Sequence, residues 1–272
     1  MFSGKINCLI LAGQRSGDPL SEYCHLPNKA FIPLLGKPLI EWVLDALDQS
    51  NCFRAPIISV SSSQENLFVE KLKDHEYKLL SLPENSSRLD GVFRCLKSID
   101  SDEHLFITTS DNPLLTVEII DSFLNICSRS QADLIVGTVN GQAGLIQKYP
   151  EMRRTWHKLN KDIWLSGANL FYWSPKKLSS QNYEALSRLE RQRKSPLAFA
   201  QIIAQVNLLF FCKLFLQQTS LKECNKVISQ TLGIQTELAL IPSPEACIDV
   251  DKLGDLEIAE QIMMEKNQIN SL

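Results

Sequence analysis

Two acidic stations stand far apart in the chain: Asp111, within Thr109-Ser110-Asp111-Asn112-Pro113, and the pair Asp249-Val250-Asp251, followed by Asp255. If Asp251 folds back towards Asp111, two hard carboxylates could share one magnesium ion, the cation that suits phosphoryl-containing substrates. Either station could instead be a turn or capping carboxylate, with Asp249 orienting its turn and Asp255 capping a final helix. A third station, Gly13-Gln14-Arg15-Ser16-Gly17 with Lys29 beyond it, offers backbone amides and two cations that could neutralise a triphosphate and stabilise charge developing during phosphoryl transfer. It could equally be a charged loop, and no Gly-rich GK[ST] signature supports a Walker-type ATPase. Ser86, Ser87 and Arg88 precede a helical stretch, where the serines could touch a base or phosphate or simply cap the helix.

These residues need elements to hold them, and the chain supplies alternating ones. Ile6–Ala12 is an apolar run suited to a buried parallel strand, and Gly13–Asn28 is a long polar loop. Pro38 opens a helix whose Ile40, Val43, Leu44 and Leu47 recur at helical spacing. Strands follow at Pro56–Ser61, Tyr77–Leu80, Leu105–Ser110 and Ala132–Val139. Between them lie helices containing Leu67, Phe68 and Leu72, then Leu89–Ile99, then Ile119–Leu124 behind a Thr116 cap. Ile163–Trp173 reads as a strand interrupted at Gly167, Thr236–Ile241 as another, and Asp251–Glu265 as a terminal helix. Strand–helix alternation predicts a three-layer α/β fold with an open, mainly parallel sheet, and such sheets bind ligands beyond their strand C-termini. Asp111, at a strand end, is placed accordingly. We expect a single domain over 1–272 with a mainly helical specialised excursion at about 174–235. There Arg188, Arg191, Arg193 and Lys194 either recognise an acidic substrate or face solvent.

Composition narrows the function classes. With 28 basic and 31 acidic residues the formal net charge is -3, which does not describe a cationic nucleic-acid-binding surface, so no nucleic-acid polymer is expected as a partner. Eight cysteines and four histidines are dispersed, without the close pairs of a zinc ribbon or redox motif, so reduced structural thiols are expected. No secretory leader pattern opens the chain, and a cytoplasmic location is expected. Leu197–Leu216 is apolar around Phe210, but Gln201, Gln205, Asn207 and Lys213 interrupt it. It reads first as a buried or partner-facing helix, a homo-oligomer contact around Phe210 included, then as a peripheral membrane contact there, and last as a span.

Taken together, Leu9-Ile10-Leu11-Ala12-Gly13, the segment Lys29-Ala30-Phe31-Ile32-Pro33-Leu34-Leu35-Gly36-Lys37-Pro38, Asp111-Asn112-Pro113 and Asp251-Lys252-Leu253-Gly254-Asp255-Leu256 form an ordered pattern. It resembles the MobA-like NTP transferases, nucleotidyltransferases with a glycosyltransferase-A-like, nucleotide-diphospho-sugar transferase-like fold. The resemblance implies a nucleotide-binding opening of Leu11, Ala12, Gly13, Arg15 and Lys29, with Ser87 counted among the nucleotide contacts. It implies magnesium held by Asp111 and Asp251, with Arg15, Lys29, Asp111 and Asp251 as the catalytic set. Asn169, in Gly167-Ala168-Asn169, matches a turn after a later family strand and is either an acceptor contact or a structural residue. The implied reaction joins an NMP group from an NTP to a phosphorylated small molecule and releases pyrophosphate. A nucleotide-sugar-dependent glycosyltransferase and a noncatalytic nucleotide- or protein-binding module are the alternatives. Two departures stand out: Gly13-Gln14 replaces paired glycines, and Pro27-Asn28-Lys29 separates a Pro and a Lys that many relatives place together.

Overall fold

The computed structural model describes residues 4–14, 17–100, 102–143, 148–149, 155–174, 179–192 and 207–270. Arg15, Ser16, Arg193 and Lys194 lie outside the described residues, as does most of the apolar stretch before Asn207.

The first half alternates strand and helix as the apolar spacing requires. In chain order come β1 (Asn7–Leu11), a short α1 (Pro19–Tyr23), β2 (Pro33–Leu34), β3 (Lys37–Pro38), α2 (Leu39–Ser50), β4 (Ile57–Ser61), α3 (Glu65–Lys71) and β5 (Lys78–Leu82). Then follow α4 (Arg88–Ser98), β6 (Leu105–Thr109), α5 (Val117–Cys127) and β7 (Leu134–Asn140). Ile40, Val43, Leu44 and Leu47 of α2 are all buried, so the stripe read from their spacing is the face that packs. The expected opening loop contains one helical interruption: Pro19 occupies the first turn of α1, and the Asp18 side chain accepts from the Ser21 amide.

The second half adds β8 (His157–Lys158), β9 (Trp164–Trp173), α6 (Ser180–Gln192), α7 (Leu208–Phe215), α8 (Leu221–Leu232), β10 (Thr236–Leu240) and α9 (Leu253–Asn270). The eight-stranded sheet has the order β10-β7-β9-β6-β1-β4-β5, with β8 paired to β9. The β1–β4, β1–β6, β4–β5 and β7–β10 pairs are parallel, whereas β9 runs antiparallel to both β6 and β7. Successive side chains of β1 serve opposite layers. Cys8 and Ile10 join the core beneath α2, α3, α5 and α9, and Leu9 joins Val92 and Cys95 of α4 and Leu232 of α8 on the other face. The fold is the expected three-layer, mainly parallel α/β arrangement.

Gly167 does not interrupt β9. The strand is continuous, and what departs from regularity is its pairing: Val136 faces Phe171 while Thr138 faces Gly167, so β9 carries extra residues through a bulge. Asn169 sits in that bulge with φ +52°, in the left-handed region that Asn tolerates better than most side chains. The segment expected to be a turn is therefore a bulge inside a strand. Opposite it, Gly137 leaves no room for a Cβ, which would stand 2.9 Å from Ile241 Cδ1 and 3.1 Å from the Leu170 carbonyl. Gly137→Ala is expected to lose about 1–3 kcal/mol through overpacking. Urea denaturation would check it, and unchanged stability would mean that the bulge shifts freely.

All eight cysteines are free thiols, and only Cys212 is exposed. Phe210 is buried with Leu159, Leu165, Cys224 and Val227, so it is a core residue, whereas Leu209, Phe215 and Leu216 are exposed. Among the described residues no helix is long and apolar enough to cross a membrane. Arg188 and Arg191 are exposed on α6, whose Ala185, Leu186 and Leu189 pack inward.

Candidate functional site

At the C-terminal edge of the parallel strands, the segments after β1 and β6 lie side by side, with the Ser110 amide donating to the Leu11 carbonyl at 3.2 Å. Asp111 follows at once and is buried. The chain before α9 docks on it: the Val250 amide donates to the Asp111 carbonyl at 2.8 Å, which brings Asp249 and Asp251 to the same place. Asp255 holds the entry to α9, its Oδ2 accepting from the amides of Asp251 and Lys252. Asp111, Asp249 and Asp251 can each bring one carboxylate oxygen within 4.8 Å of the others.

Lys29 enters from the opposite end of the sequence. Its Nζ ion-pairs with Asp111 Oδ2 and, at 2.6 Å, with Asp251 Oδ1. The Lys29 and Asp111 side chains are largely buried, and that of Asp251 is half-exposed at 55%. Burial pulls the Lys29 pKa down, but the adjacent Asp111 and Asp251 charges and their hydrogen bonds outweigh it and raise the value above the usual lysine range. The ammonium is therefore charged at neutral pH.

The two departures in the opening motif account for each other. Gln14 Oε1 accepts from the Lys29 amide at 2.6 Å and from Ser21 Oγ at 3.0 Å. Asn28, fully buried, donates to the Ala12 carbonyl at 3.1 Å and to Gln64 Oε1 at 2.8 Å, while its Oδ1 accepts from the Ala30 amide. Gln14 and Asn28 thus clamp the opening strand end to the turn that carries Lys29. Reading residue types along the chain missed this, because the amide of one departure satisfies the backbone around the other. The one available signal was that both departures introduced carboxamides.

The other singled-out residues fall into place around this group. Ala12 is buried and its amide donates to the Ser59 carbonyl, whereas Gly13 is exposed and a Cβ there would meet nothing within 4 Å. The backbone at Gly13 is thus open to an approaching ligand. Ser87 is the N-cap of α4 in a reciprocal capping box with Asp90, so its hydroxyl is engaged by the helix. Asn169 Nδ2 donates to Asp249 Oδ2 at 2.7 Å, and Asn112 Nδ2 donates to the Ala168 carbonyl at 3.3 Å, tying the β9 bulge to both acidic segments. The structure unites Lys29, Asp111, Asp251 and Asn169, adds Asp249, and places Leu11, Ala12 and Gly13 along the adjoining strand end.

The carboxylates fit a hard divalent cation on two counts. All three donors are oxygens, and Asp111, whose Oδ2 is paired with Lys29, keeps a buried Oδ1 without a hydrogen-bond partner, a costly condition for a carboxylate oxygen.

Comparison with known proteins agrees with this fold. A family model for the MobA-like NTP transferase domain matches residues 8–206. The bifunctional protein GlmU of Thermodesulfovibrio yellowstonii is 24% identical over 129 residues, 47% of this chain, so the match spans about a quarter (26%) of that relative's length. A solved hypothetical transferase from Thermus thermophilus superposes with TM-score 0.73 at 25% identity, covering 93% of this chain and 99% of its own. The 4-diphosphocytidyl-2C-methyl-D-erythritol synthase of Anaerococcus prevotii shares the fold at TM-score 0.55 and 11% identity, covering 96% of this chain and 99% of its own. A CMP:2-keto-3-deoxy-manno-octonic acid synthetase solved with CTP does so at 0.55 and 14%, covering 97% and 100%. By a family match over most of its length, the chain belongs to the MobA-like NTP transferase family.

Proposed function

We propose that this protein transfers a nucleotidyl group from an NTP to a phosphorylated small molecule, in a magnesium-dependent reaction that releases pyrophosphate. The observation that carries the reading is the meeting of Lys29, Asp111 and Asp251 at the C-terminal edge of the sheet, beside the open backbone of Gly13. Asp111 and Asp251 would hold the magnesium, which when bound neutralises phosphate charge.

The chain's own groups do the rest. The triphosphate lies against Leu11, Ala12 and Gly13, with Arg15 and Lys29 placing cationic charge on it. The Gln14 and Asn28 clamp fixes the backbone at Lys29, so its ammonium is kept at this edge of the sheet, within reach of the phosphates. An oxygen of the acceptor phosphate attacks the α-phosphorus, the bond to the pyrophosphate oxygen breaks, and pyrophosphate leaves with the electron pair. A phosphate monoester, with its second pKa at about 6, is already anionic at neutral pH and needs no general base. The protein thus contributes position and charge, without a covalent intermediate.

The test is mass-spectrometric product analysis after incubation of the protein with magnesium and a panel of phosphorylated metabolites, with the four NTPs in one arm and nucleotide-sugars in the other. A nucleotide-linked product with stoichiometric pyrophosphate is expected. A glycosylated product with a free nucleoside diphosphate would overturn the reading in favour of sugar transfer, and NTP binding without turnover would favour a noncatalytic binder.

A further inference from the structure

Asp249 is the carboxylate that neither the ion pairs of Lys29 nor the residue pattern singles out as a ligand, yet it lies with Asp111 and Asp251. Val250 between them is buried, so the two aspartates flank a residue that anchors the segment. The Val250 amide on the Asp111 carbonyl fixes the height of this short stretch. What fixes the direction of the Asp249 side chain is Asn169, whose amide nitrogen holds Asp249 Oδ2 at 2.7 Å.

Asn169 is an unusual anchor because its backbone has left the strand conformation. The regular β6–β9 pairing ends at Ile107 and Phe171, and beyond it the Asn112 side chain donates to the Ala168 carbonyl, which sets Asn169 next to the Asp111 turn. There the bulge in β9 and a φ of +52° turn its side chain towards the acidic segment. Bulges beside functional sites commonly re-aim one side chain in this way. Ligands that must hold a small hard cation gain when such partners fix their orientation.

We propose that Asn169 is a positioning residue rather than an acceptor contact. From the β9 bulge it holds Asp249 beside Asp111 and Asp251, so that three carboxylates, not two, bind the divalent cation. Asp111 is buried and its Oδ2 faces the Lys29 ammonium, while its Oδ1 makes no hydrogen bond, which leaves one oxygen of this carboxylate for a cation. This inference rests on the metal-dependent reading above and adds to it a ligand and the residue that orients it.

The experiment is titration of the full, nucleotide-free chain with Mn2+, followed by electron paramagnetic resonance of the free ion. Wild type would be compared with Asp111→Asn, Asp249→Asn, Asn169→Gly and the double variant Asn169→Gly/Asp249→Asn. Glycine at 169 keeps the left-handed backbone available and removes only the side chain. Asn169→Gly and Asp249→Asn are each expected to weaken Mn2+ binding by about 10–100-fold. The double variant should bind no more weakly than Asp249→Asn alone, because Asn169 acts through Asp249. Acceptor KM at saturating metal should be the same in Asn169→Gly as in wild type. Wild-type Mn2+ affinity in Asn169→Gly, additive losses in the double variant, or a raised acceptor KM that persists in the Asp249→Asn background would each overturn the positioning role. Asp111→Asn separates the two levels: if it leaves Mn2+ binding untouched, the metal assignment itself falls. If it abolishes binding while Asn169→Gly does nothing, only the positioning role falls.

Discussion

Asp111→Asn is expected to reduce turnover by about a thousandfold or more, a loss at or beyond the upper end for removal of one pre-organised electrostatic partner. The amide keeps the shape of the carboxylate but supplies neither the charge that faces Lys29 nor an anionic oxygen for a hard cation. Removing one partner of a buried ion pair usually costs about 3–5 kcal/mol. Here Asp251 still faces the Lys29 ammonium, so the stability loss should fall below that range and the variant should remain folded. Kinetics and urea denaturation on the same preparation separate the two effects. Turnover within tenfold of wild type in a folded variant would remove Asp111 from the catalytic set.

Lys29→Met should move two observables in opposite directions. The ammonium lies between Asp111 and Asp251, the position a divalent cation held by those carboxylates must share or take over. Two unit charges 4 Å apart interact by about 4 kcal/mol at the effective dielectric of a protein surface, so removing one competing cation is substantial. Mn2+ binding to the nucleotide-free protein is therefore expected to tighten by at least about tenfold, the equivalent of about 1.4 kcal/mol. Turnover should nevertheless fall by about a hundredfold to a thousandfold, because the triphosphate loses a neighbouring cationic donor. Paired metal titration and kcat/KM measurement check this. Metal affinity that stays level or weakens would show that Lys29 and the cation do not compete, and unchanged kcat/KM would remove the lysine from the reaction.

The layers of this fold are legible in the sequence where a short period carries the information. The α2 stripe of Ile40, Val43, Leu44 and Leu47 and the apolar run of β6 are both local patterns whose burial follows from one element meeting one sheet. Lys29, Asp111 and Asp251 were legible for another reason: their types and flanking motifs resemble those of a known family. The reversal of β9 was not legible, because its ten residues would read the same in either direction. Nor was the Asn169–Asp249 hydrogen bond, which joins side chains 80 residues apart and depends on a bulge visible only once both strands are paired. Ser87 shows the converse: two plausible roles were open from sequence, and the capping box with Asp90 is the one the local geometry displays.

The reversed strand also bears on how the chain reaches this structure. β6 and β7 are adjacent in sequence among the sheet strands, but they are never neighbours in the sheet, because β9 lies between them. Until residues 164–173 arrive, the assembled β5-β4-β1-β6 half ends on β6, five residues whose side chains are all buried in the finished protein. Such an open, apolar edge invites pairing with another molecule. Refolding yield should therefore fall with protein concentration, and a nascent chain stalled before Trp164 should be the species most dependent on chaperones.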